Sequence, residues 1–534
     1  MSASVVTRPS PVNSGAPGRR ATSAPAVAAR LLAALPEPAD GRRATTIAPF
    51  TGEPLVDLPV LGPDDVRAAF ARARRAAAGW RAVPVVERAA VLLRFHDLVL
   101  RRQHEVLDLV QWESGKARRH AFEEVGHAAV IARYYARTGP AALRPRRRAG
   151  LVPGYTHVVE YRHPKGVVGM ISPWNYPLSP GTTDQFPAFV AGNAIVHKPD
   201  NQSALTALWV RELMVEAGLP ADAWQVVLGR GSEIGSAMFD ESDYVCFTGS
   251  TARGRQVAQE ASARLIGVSL ELGGKNAAIV LADANLDRAV EGLVRASFNS
   301  AGQMCVSMER VYVERAVYDD FAARFAARTN GLRLGPGFDW DIEMGSLANA
   351  DQLRTVTAHV DDAVAKGATV LAGGRARPDL GPFFYEPTIL SGVTDEMACA
   401  EEETFGPVVA LYPVDSVDEA VSRANATSYG LNASLWTRDT RRARDLATRL
   451  QAGTVNVNEG YAASFGSIDA PMGGMNDSGL GRRNALEGLL KFTEPQTVAV
   501  QRGLALAPPG QLRYETFARA FTVMLKAMRK AGMR

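Results

Sequence analysis

The stretch that decides the fold is "GVVGMISPWNYP", residues 166–177. Its first half is a short apolar run that ends at a proline, which predicts a buried strand followed at once by a loop. "NAIVHKP" at 193–199 and "YVCFTGS" at 244–250 repeat this arrangement, and helical stretches separate the three runs. Apolar strands that alternate with helices predict parallel crossover units and a doubly wound sheet.

A second alternating block begins with "NAAIVLADANLDRAVEGLVRASFNS" at 276–300 and continues through "VALYPVDSVDEAVSRANA" at 409–426. The chain is therefore predicted to be α/β with two lobes. A region with a helical pattern begins near residue 62 and precedes the first block. It ends at a basic, proline-containing stretch, "LRPRRRAG" at 143–150. We interpret this stretch as a solvated loop.

Composition excludes several function classes. The chain has 534 residues, 46% of them hydrophobic, and a net charge of +4, which is too balanced to indicate a nucleic-acid partner. Three cysteines, an odd number, indicate a reducing compartment, most simply the cytoplasm, and no histidine or cysteine spacing indicates a metal site. Residues 1–44 are predicted to be a disordered leader, and no apolar run reaches the roughly 18 residues that span a bilayer.

The C-terminal tail differs from the rest of the chain. Residues 511–534 contain six basic residues and one acid. Phe517, Phe521, Met524, Leu525 and Met528 fall on one face at helical spacing. This pattern predicts a helix that packs on the protein's own oligomer, with contact to an anionic membrane surface as the alternative.

Parallel sheets bind ligands beyond the carboxyl ends of their strands. Three polar stretches follow predicted strands, and within them Lys198 and Gly249 suit a dinucleotide, as does the glycine-rich loop at 229–235. Glu271, in the apolar stretch "LELGGKN" at 270–276, is either a structural residue or a general base. Cys305, in "AGQMC" at 301–305, is either core packing or a nucleophile.

Seven stretches in one order carry a resemblance. "SPWNYP", "HKPDNQ", "FTGSTARG", "LELGGKN", "AGQMC", "EETFGPV" and "PMGGMNDSGLGRR" are similar to the motif series of the aldehyde dehydrogenase superfamily, over roughly residues 45–500. Over its whole length the sequence most resembles the actinobacterial, second-type succinate-semialdehyde dehydrogenases. The resemblance implies an aldehyde-dehydrogenase-like α/β fold of two doubly wound lobes with a β-strand oligomerisation arm.

The resemblance also implies domain boundaries. The dinucleotide-binding domain would comprise 45–145 and 165–274, and the catalytic domain 275–480. The oligomerisation arm would comprise 146–164 and 493–502, and a basic amphipathic tail 503–534. A homodimer or homotetramer is expected, with Arg482 and Glu494 forming a structural ion pair near the interface.

Three catalytic roles follow from the resemblance. Cys305 matches the nucleophile that forms a thiohemiacetal and then a thioester. Asn175, with the Cys305 backbone N–H, matches the oxyanion hole, where one donor can lower the barrier by ~3 kcal/mol. Glu271 matches the base that activates water to hydrolyse the thioester, which favours a free acid over transfer to coenzyme A.

The expected cofactor residues are likewise carried over from the resemblance. They are Trp174, Lys198 and Asn201 near the adenosine ribose, Gly249 and Ser250 near the pyrophosphate, and Leu272, Glu403 and Phe405 near the nicotinamide. Gly231, in the glycine-rich loop, is the remaining predicted cofactor residue. Members of the superfamily that prefer NAD often carry glutamate where this chain has Asn201. A neutral side chain does not repel a 2′-phosphate, so NADP is favoured over NAD.

The expected substrate is a small aldehyde, and whole-chain resemblance indicates succinate semialdehyde. The two positions at which related enzymes often place carboxylate-binding arginines are Thr183 and Asn299 here, which leaves other aliphatic or aromatic aldehydes as the alternative. The remaining predicted pocket residues are Tyr176, Met304, Val306, Phe465 and Met472. A non-enzymatic binding protein on this scaffold is the last alternative, and retention of Cys305, Glu271 and Asn175 argues against it.

Overall fold

The computed structural model of the chain describes residues 24–38, 40–150, 156–502 and 507–533. Its first lobe is built on a six-stranded sheet in the order β17-β9-β8-β5-β6-β7, in which only β17 runs antiparallel to its neighbour. The strands are β5 Val167–Ser172, β6 Ala194–Pro199, β7 Trp224–Val226, β8 Tyr244–Thr248, β9 Gly267–Glu271 and β17 Gly479–Leu480. The buried strands predicted from 166–177, 193–199 and 244–250 are thus confirmed as adjacent parallel strands.

The second lobe is built on a seven-stranded sheet in the order β12-β13-β14-β11-β10-β15-β16, parallel except for the β12–β13 pair. The strands are β10 Asn276–Val280, β11 Met308–Glu314, β12 Thr369–Ala372, β13 Thr388–Ser391, β14 Val408–Val414, β15 Asn432–Trp436 and β16 Thr454–Val457. Each large sheet has its own hydrophobic core. The predicted α/β fold with two lobes is therefore confirmed.

Helices connect the strands and cover the sheets. They are α1 Ala24–Leu32, α2 Pro63–Ala82, α3 Val85–Arg101, α4 Gln103–Ser114, α5 Arg118–Leu143, α6 Pro180–Thr183, α7 Gln185–Ala191, α8 Ala204–Glu216, α9 Gly231–Glu241, α10 Thr251–Ala263, α11 Leu286–Phe298, α12 Arg315–Asn330, α13 Ala350–Ala365, α14 Ala398–Glu401, α15 Val417–Asn425, α16 Thr440–Ala447, α17 Ala462–Phe465, α18 Ala485–Leu490 and α19 Tyr514–Lys530. No helix in these described segments has the length and apolar character needed to cross a bilayer.

Two small antiparallel sheets complete the fold. One pairs β1 Arg43–Ile47 with β2 Pro54–Pro59. The other has the order β18-β4-β3 and contains β3 Arg146–Arg148, β4 Thr156–Pro164 and β18 Thr493–Gln501. The basic stretch at 143–150 was predicted to be a loop, but β3 pairs with β4, and the Arg148 side chain bonds Glu160.

One further expectation, that of a disordered leader at 1–44, is wrong for the part that the structure describes. Within the predicted disordered leader, α1 buries Ala28 and Leu31 in the first core, and Arg30 pairs with Glu105, so apolar burial orders this segment. The rest of the leader, residues 1–23, lies outside the described residues. Within the chain Glu494 pairs with Lys165, and the Arg482–Glu494 pair expected near the oligomer interface stays a prediction.

Candidate active site

Four residues, 272–275, join the two large sheets, and they bring a carboxylate to the boundary between the lobes. Glu271 is the last residue of β9, and Asn276 is the first residue of β10. Gly273 and Gly274 have no room for side chains: a Cβ at Gly273 would collide with the Glu403 carboxylate, and one at Gly274 would lie 2.8 Å from the Cys305 carbonyl. The connection therefore packs directly against the loop that carries Cys305.

The Cys305 loop is held in a constrained conformation. After α11, residues 300 to 302 have φ angles of 51°, 55° and 70°, and two of these residues, Ser300 and Ala301, are not glycine. Such backbone is retained only where surrounding contacts enforce it. Here the Asn276 amide donates to the carbonyls of Cys305 (2.8 Å) and Ser307 (2.7 Å). The loop is thus fixed by the first residue of β10.

Asn175 lies in the loop that follows β5. Buried groups on α5 hold this loop: Glu124 accepts the N–H groups of Leu178 and Ser179, both at 2.9 Å, and is paired with Lys116. The Asn175 amide donates to the Gln303 carbonyl at 2.9 Å, two residues before Cys305. The Cys305 N–H donates to no described backbone group.

Most of the predicted site residues line one cavity of about 310 Å³. They are Trp174, Asn175, Tyr176, Thr183, Gly249, Ser250, Glu271, Leu272, Met304, Cys305, Val306, Glu403, Phe405, Phe465 and Met472. Asn299 is the exception among the predicted substrate-pocket residues. Its amide donates to Tyr461 (2.6 Å) and Glu123 (3.1 Å), and it is not among the residues that line this cavity, so its place in the substrate pocket stays a prediction.

Burial sets the protonation of the two reactive groups. Burial, followed by the negative charges of Glu271 and Glu403, raises the pKa of the Cys305 thiol to about 12. Burial also raises the pKa of Glu271 to about 7, although the cations Arg483 and Lys491 oppose it. No described group donates a hydrogen bond to this carboxylate, and it is 7% exposed. Glu271 therefore has the basicity of a group that exchanges protons near neutral pH.

A second buried pair holds the loop at 403–405. Lys275, in the connection between the sheets, pairs with Glu309. The Glu309 carboxylate accepts the N–H groups of Thr404 and Phe405, both at 3.0 Å. Glu403 then accepts the Gly274 N–H at 2.9 Å, and burial raises the pKa of Glu403 to about 8. Phe405 meets Trp174 edge-to-face, with ring centroids 5.7 Å apart.

The three other predicted cofactor residues, Lys198, Asn201 and Gly231, line a separate cleft of about 890 Å³. Helix α9 begins there at Gly231, and helix N-termini favour phosphate groups. The Lys198 ammonium makes one hydrogen bond, to the Pro199 carbonyl at 3.2 Å, so it has donors to spare. This donor set fits the ribose and phosphates of a dinucleotide.

Sequence reasoning missed several residues that line these cavities. Arg483, Asn484, His127 and Gln352 line the first, and Arg230 lines the second. Arg483 lay inside a quoted motif, but nothing in the motif shows which way an arginine side chain points. Cys246 and Cys399, which were predicted not to be reactive, are both buried in the protein.

The family model described as "Aldehyde dehydrogenase family" matches residues 37–498. A relative from Mycolicibacterium smegmatis is 53% identical over 481 residues, covering 90% of this chain and 93% of that protein. This chain belongs to the aldehyde dehydrogenase family. The mycobacterial relative carries the provisional name succinate-semialdehyde dehydrogenase, NADP(+).

Two less similar proteins also match this chain over most of its length. The mitochondrial succinate-semialdehyde dehydrogenase of Arabidopsis thaliana is 37% identical over 462 residues, covering 85% of each chain. A crystal structure described as an E. coli NADP dependent enzyme is 34% identical, with a TM-score of 0.84, covering 87% of this chain and 96% of the other. The chain is an NAD(P)-dependent aldehyde dehydrogenase.

The pKa of Glu271 predicts the pH dependence of acid formation. Because only the carboxylate can take a proton from water, kcat should rise with pH through a midpoint near 7. Glu271→Gln should lower kcat by about 10²–10⁴-fold, the usual contribution of a general base. Steady-state kcat values of the wild type and of Glu271→Gln between pH 5.5 and 9 measure the midpoint and the loss of rate.

Glu403 is the control for this profile, since it is a second buried carboxyl in the same cavity with a pKa of about 8. In Glu403→Gln the midpoint should stay near 7. If kcat of the wild type did not change from pH 6 to 8, or if the midpoint disappeared in Glu403→Gln, the pH dependence of kcat would not come from Glu271.

Proposed function

We propose that this enzyme oxidises succinate semialdehyde to succinate with NADP, through a thioester on Cys305. One observation carries the mechanism: Cys305, Glu271 and Asn175 line the same cavity. The substrate is supported by the names of the Mycolicibacterium and Arabidopsis relatives, which this chain matches over most of its length.

The Cys305 sulfur attacks the aldehyde carbon. Because the thiol is protonated at neutral pH, its proton must leave to solvent water as the sulfur attacks, so Glu271 stays available as the base for the later hydrolysis. The aldehyde oxygen then gains negative charge, which the Asn175 amide and the Cys305 N–H stabilise. One N–H of that amide donates to the Gln303 carbonyl, which leaves its second N–H for the substrate oxygen.

When bound, NADP supplies the oxidant that accepts the hydride and leaves an acyl group on Cys305. Leu272, Glu403 and Phe405 would hold the nicotinamide end, and Lys198 the adenosine end. Glu271 then takes a proton from water, whose oxygen attacks the thioester carbon and releases the acid and the Cys305 thiol. Gly473 leaves room beside this carboxylate, since a Cβ there would lie 3.1 Å from Oε1.

Turnover of succinate semialdehyde tests the proposal. Wild-type protein should reduce NADP, and Cys305→Ala should lose turnover because no other group in the cavity can form the thioester. Cys246→Ala is the matched control, because Cys246 is buried in the six-stranded sheet away from the cavity and should keep turnover. Absorbance of reduced cofactor is the measurement.

Two results would contradict the proposal. Turnover that survives in Cys305→Ala would exclude this nucleophile. Turnover with uncharged aliphatic or aromatic aldehydes, but none with succinate semialdehyde, would exclude the proposed substrate and leave the catalytic assignment intact.

The preference for NADP is supported by the neutral Asn201 and by a nearby cation. Asn201 Oδ1 accepts the Gly229 N–H at 3.3 Å. Arg230 directly follows Gly229, so this bond brings the arginine close to Asn201. The Arg230 side chain is 78% exposed, and its ion pair with Glu233 is long, at 4.0 Å. A guanidinium held this loosely can turn to a 2′-phosphate.

Arg230→Ala should lower kcat/KM for NADP about tenfold or more, since a charge-assisted hydrogen bond contributes ~1.5–3 kcal/mol. The rate with NAD should change little, because NAD lacks the 2′-phosphate. Asn201→Glu should shift the preference toward NAD by repulsion. Parallel kcat/KM measurements decide this, and a wild-type enzyme with higher kcat/KM for NAD would overturn the assignment.

We also propose a cytoplasmic homodimer or homotetramer. In support, β18 is an edge strand that is exposed along nearly all its length, including Val498 and Val500. None of the described residues of α19 is buried, and Phe517 and Phe521 are only partly covered. These two side chains form an apolar stripe on the helix. A second copy is the occupant we favour for this stripe, and pelleting with anionic vesicles would indicate a membrane instead.

A further inference from the structure

Part of the active-site cavity wall is polar and takes no part in the mechanism above. His127, Thr183, Arg483 and Asn484 contribute to it. The Thr183 hydroxyl is already used, because it donates to the Ser179 carbonyl at 2.8 Å. The two consecutive residues Arg483 and Asn484, by contrast, present polar atoms that no described group satisfies.

Asn484 carries two unfavourable features at once. Its side chain is buried, with the whole residue only 1% exposed, yet neither its amide nitrogen nor its amide oxygen has a hydrogen-bond partner among the described residues. Its backbone has φ 60° and ψ −179°, a region that is essentially restricted to glycine. Buried amides are nearly always hydrogen-bonded, so this amide, which lines the cavity, is free to bond a group that enters it.

Arg483 adds positive charge beside this amide. Its Nε and Nη2 bond Asp184, at 2.9 and 2.7 Å, and Nη2 also bonds Thr248. Nη1 donates to no described residue. Lys491 bonds the other oxygen of Asp184 at 2.7 Å, so two cations share one carboxylate.

This cluster keeps a net positive charge. Although burial alone acts in the opposite direction, Arg483 and Lys491 lower the pKa of Asp184 to about 2, so Asp184 carries one full negative charge at neutral pH. Together these three groups carry a charge of +1, and of them Arg483 lines the cavity. A guanidinium N–H and an amide NH₂ are donors that a carboxylate accepts well.

We propose that Arg483 Nη1 and the Asn484 amide bind the distal carboxylate of the substrate, in place of arginines at positions 183 and 299. The assignment rests on the proposed function, because it requires an aldehyde that carries a carboxylate. It supplies two donors for an anionic substrate although Thr183 and Asn299 are both uncharged. His127 Nε2, which is buried and also lacks a described partner, borders the same space.

The test compares two four-carbon aldehydes, succinate semialdehyde and butanal, which differ in the carboxylate. The readout is the ratio of their kcat/KM values. Asn484→Gly removes the amide and suits the backbone, so it should fold at least as stably as wild type. Asn484→Asp keeps the shape and adds a negative charge that repels a carboxylate.

Both variants should lower the ratio, Asn484→Gly by about tenfold and Asn484→Asp by more, mainly through KM for succinate semialdehyde. Asn476→Gly is the matched control: Asn476 also has a positive φ, 52°, but is exposed and lies outside the cavity. Its ratio should equal that of wild type. A thermal midpoint for each variant separates a loss of recognition from a loss of fold.

The outcomes separate this inference from the proposed function. A wild-type ratio well above one that falls in both Asn484 variants supports the inference. A high wild-type ratio that is unchanged in Asn484→Gly and Asn484→Asp overturns it and leaves the proposed substrate standing. A wild-type ratio near one contradicts succinate semialdehyde as the substrate, and with it the proposed carboxylate site.

Discussion

The organisation of the active site depends on a connection of four residues, 272–275, between the two large sheets. Because this connection is short and contains two glycines in close contact, Glu271 and Asn276 are fixed relative to each other. Asn276 in turn clamps the Cys305 loop, and Lys275 reaches Glu309, which holds the loop at 403–405. One link therefore sets the positions of the base, the nucleophile and the nicotinamide-side loop.

The same burial that excludes water also controls charge. It raises the pKa values of Cys305, Glu271 and Glu403 together, which limits the negative charge that accumulates in the site. Nearby cations limit the effect on Glu271, whose pKa of about 7 lies closest to neutral pH. The site thus holds one carboxyl that can exchange protons readily, which suits the base in a hydrolytic step.

Much of this arrangement could be predicted from sequence, because ligands bind at the carboxyl ends of the strands in parallel sheets. Asn175, Lys198 and Glu271 each lie at or just after such an end. What sequence could not give were side-chain directions set by distant partners. The Asn299 amide donates to Tyr461, which is remote along the chain, and the helix that contains Leu31 packs on a core formed by residues later in the sequence.

The central claim is that an acyl group forms on Cys305 and that Glu271 removes it. The most direct measurement is intact-mass spectrometry of Glu271→Gln after incubation with succinate semialdehyde and NADP, with the modified peptide then sequenced. The account predicts one succinyl group per chain, attached to Cys305, and none in the absence of NADP. An unmodified chain that has nonetheless reduced NADP, or a label on Cys246 or Cys399, would contradict it.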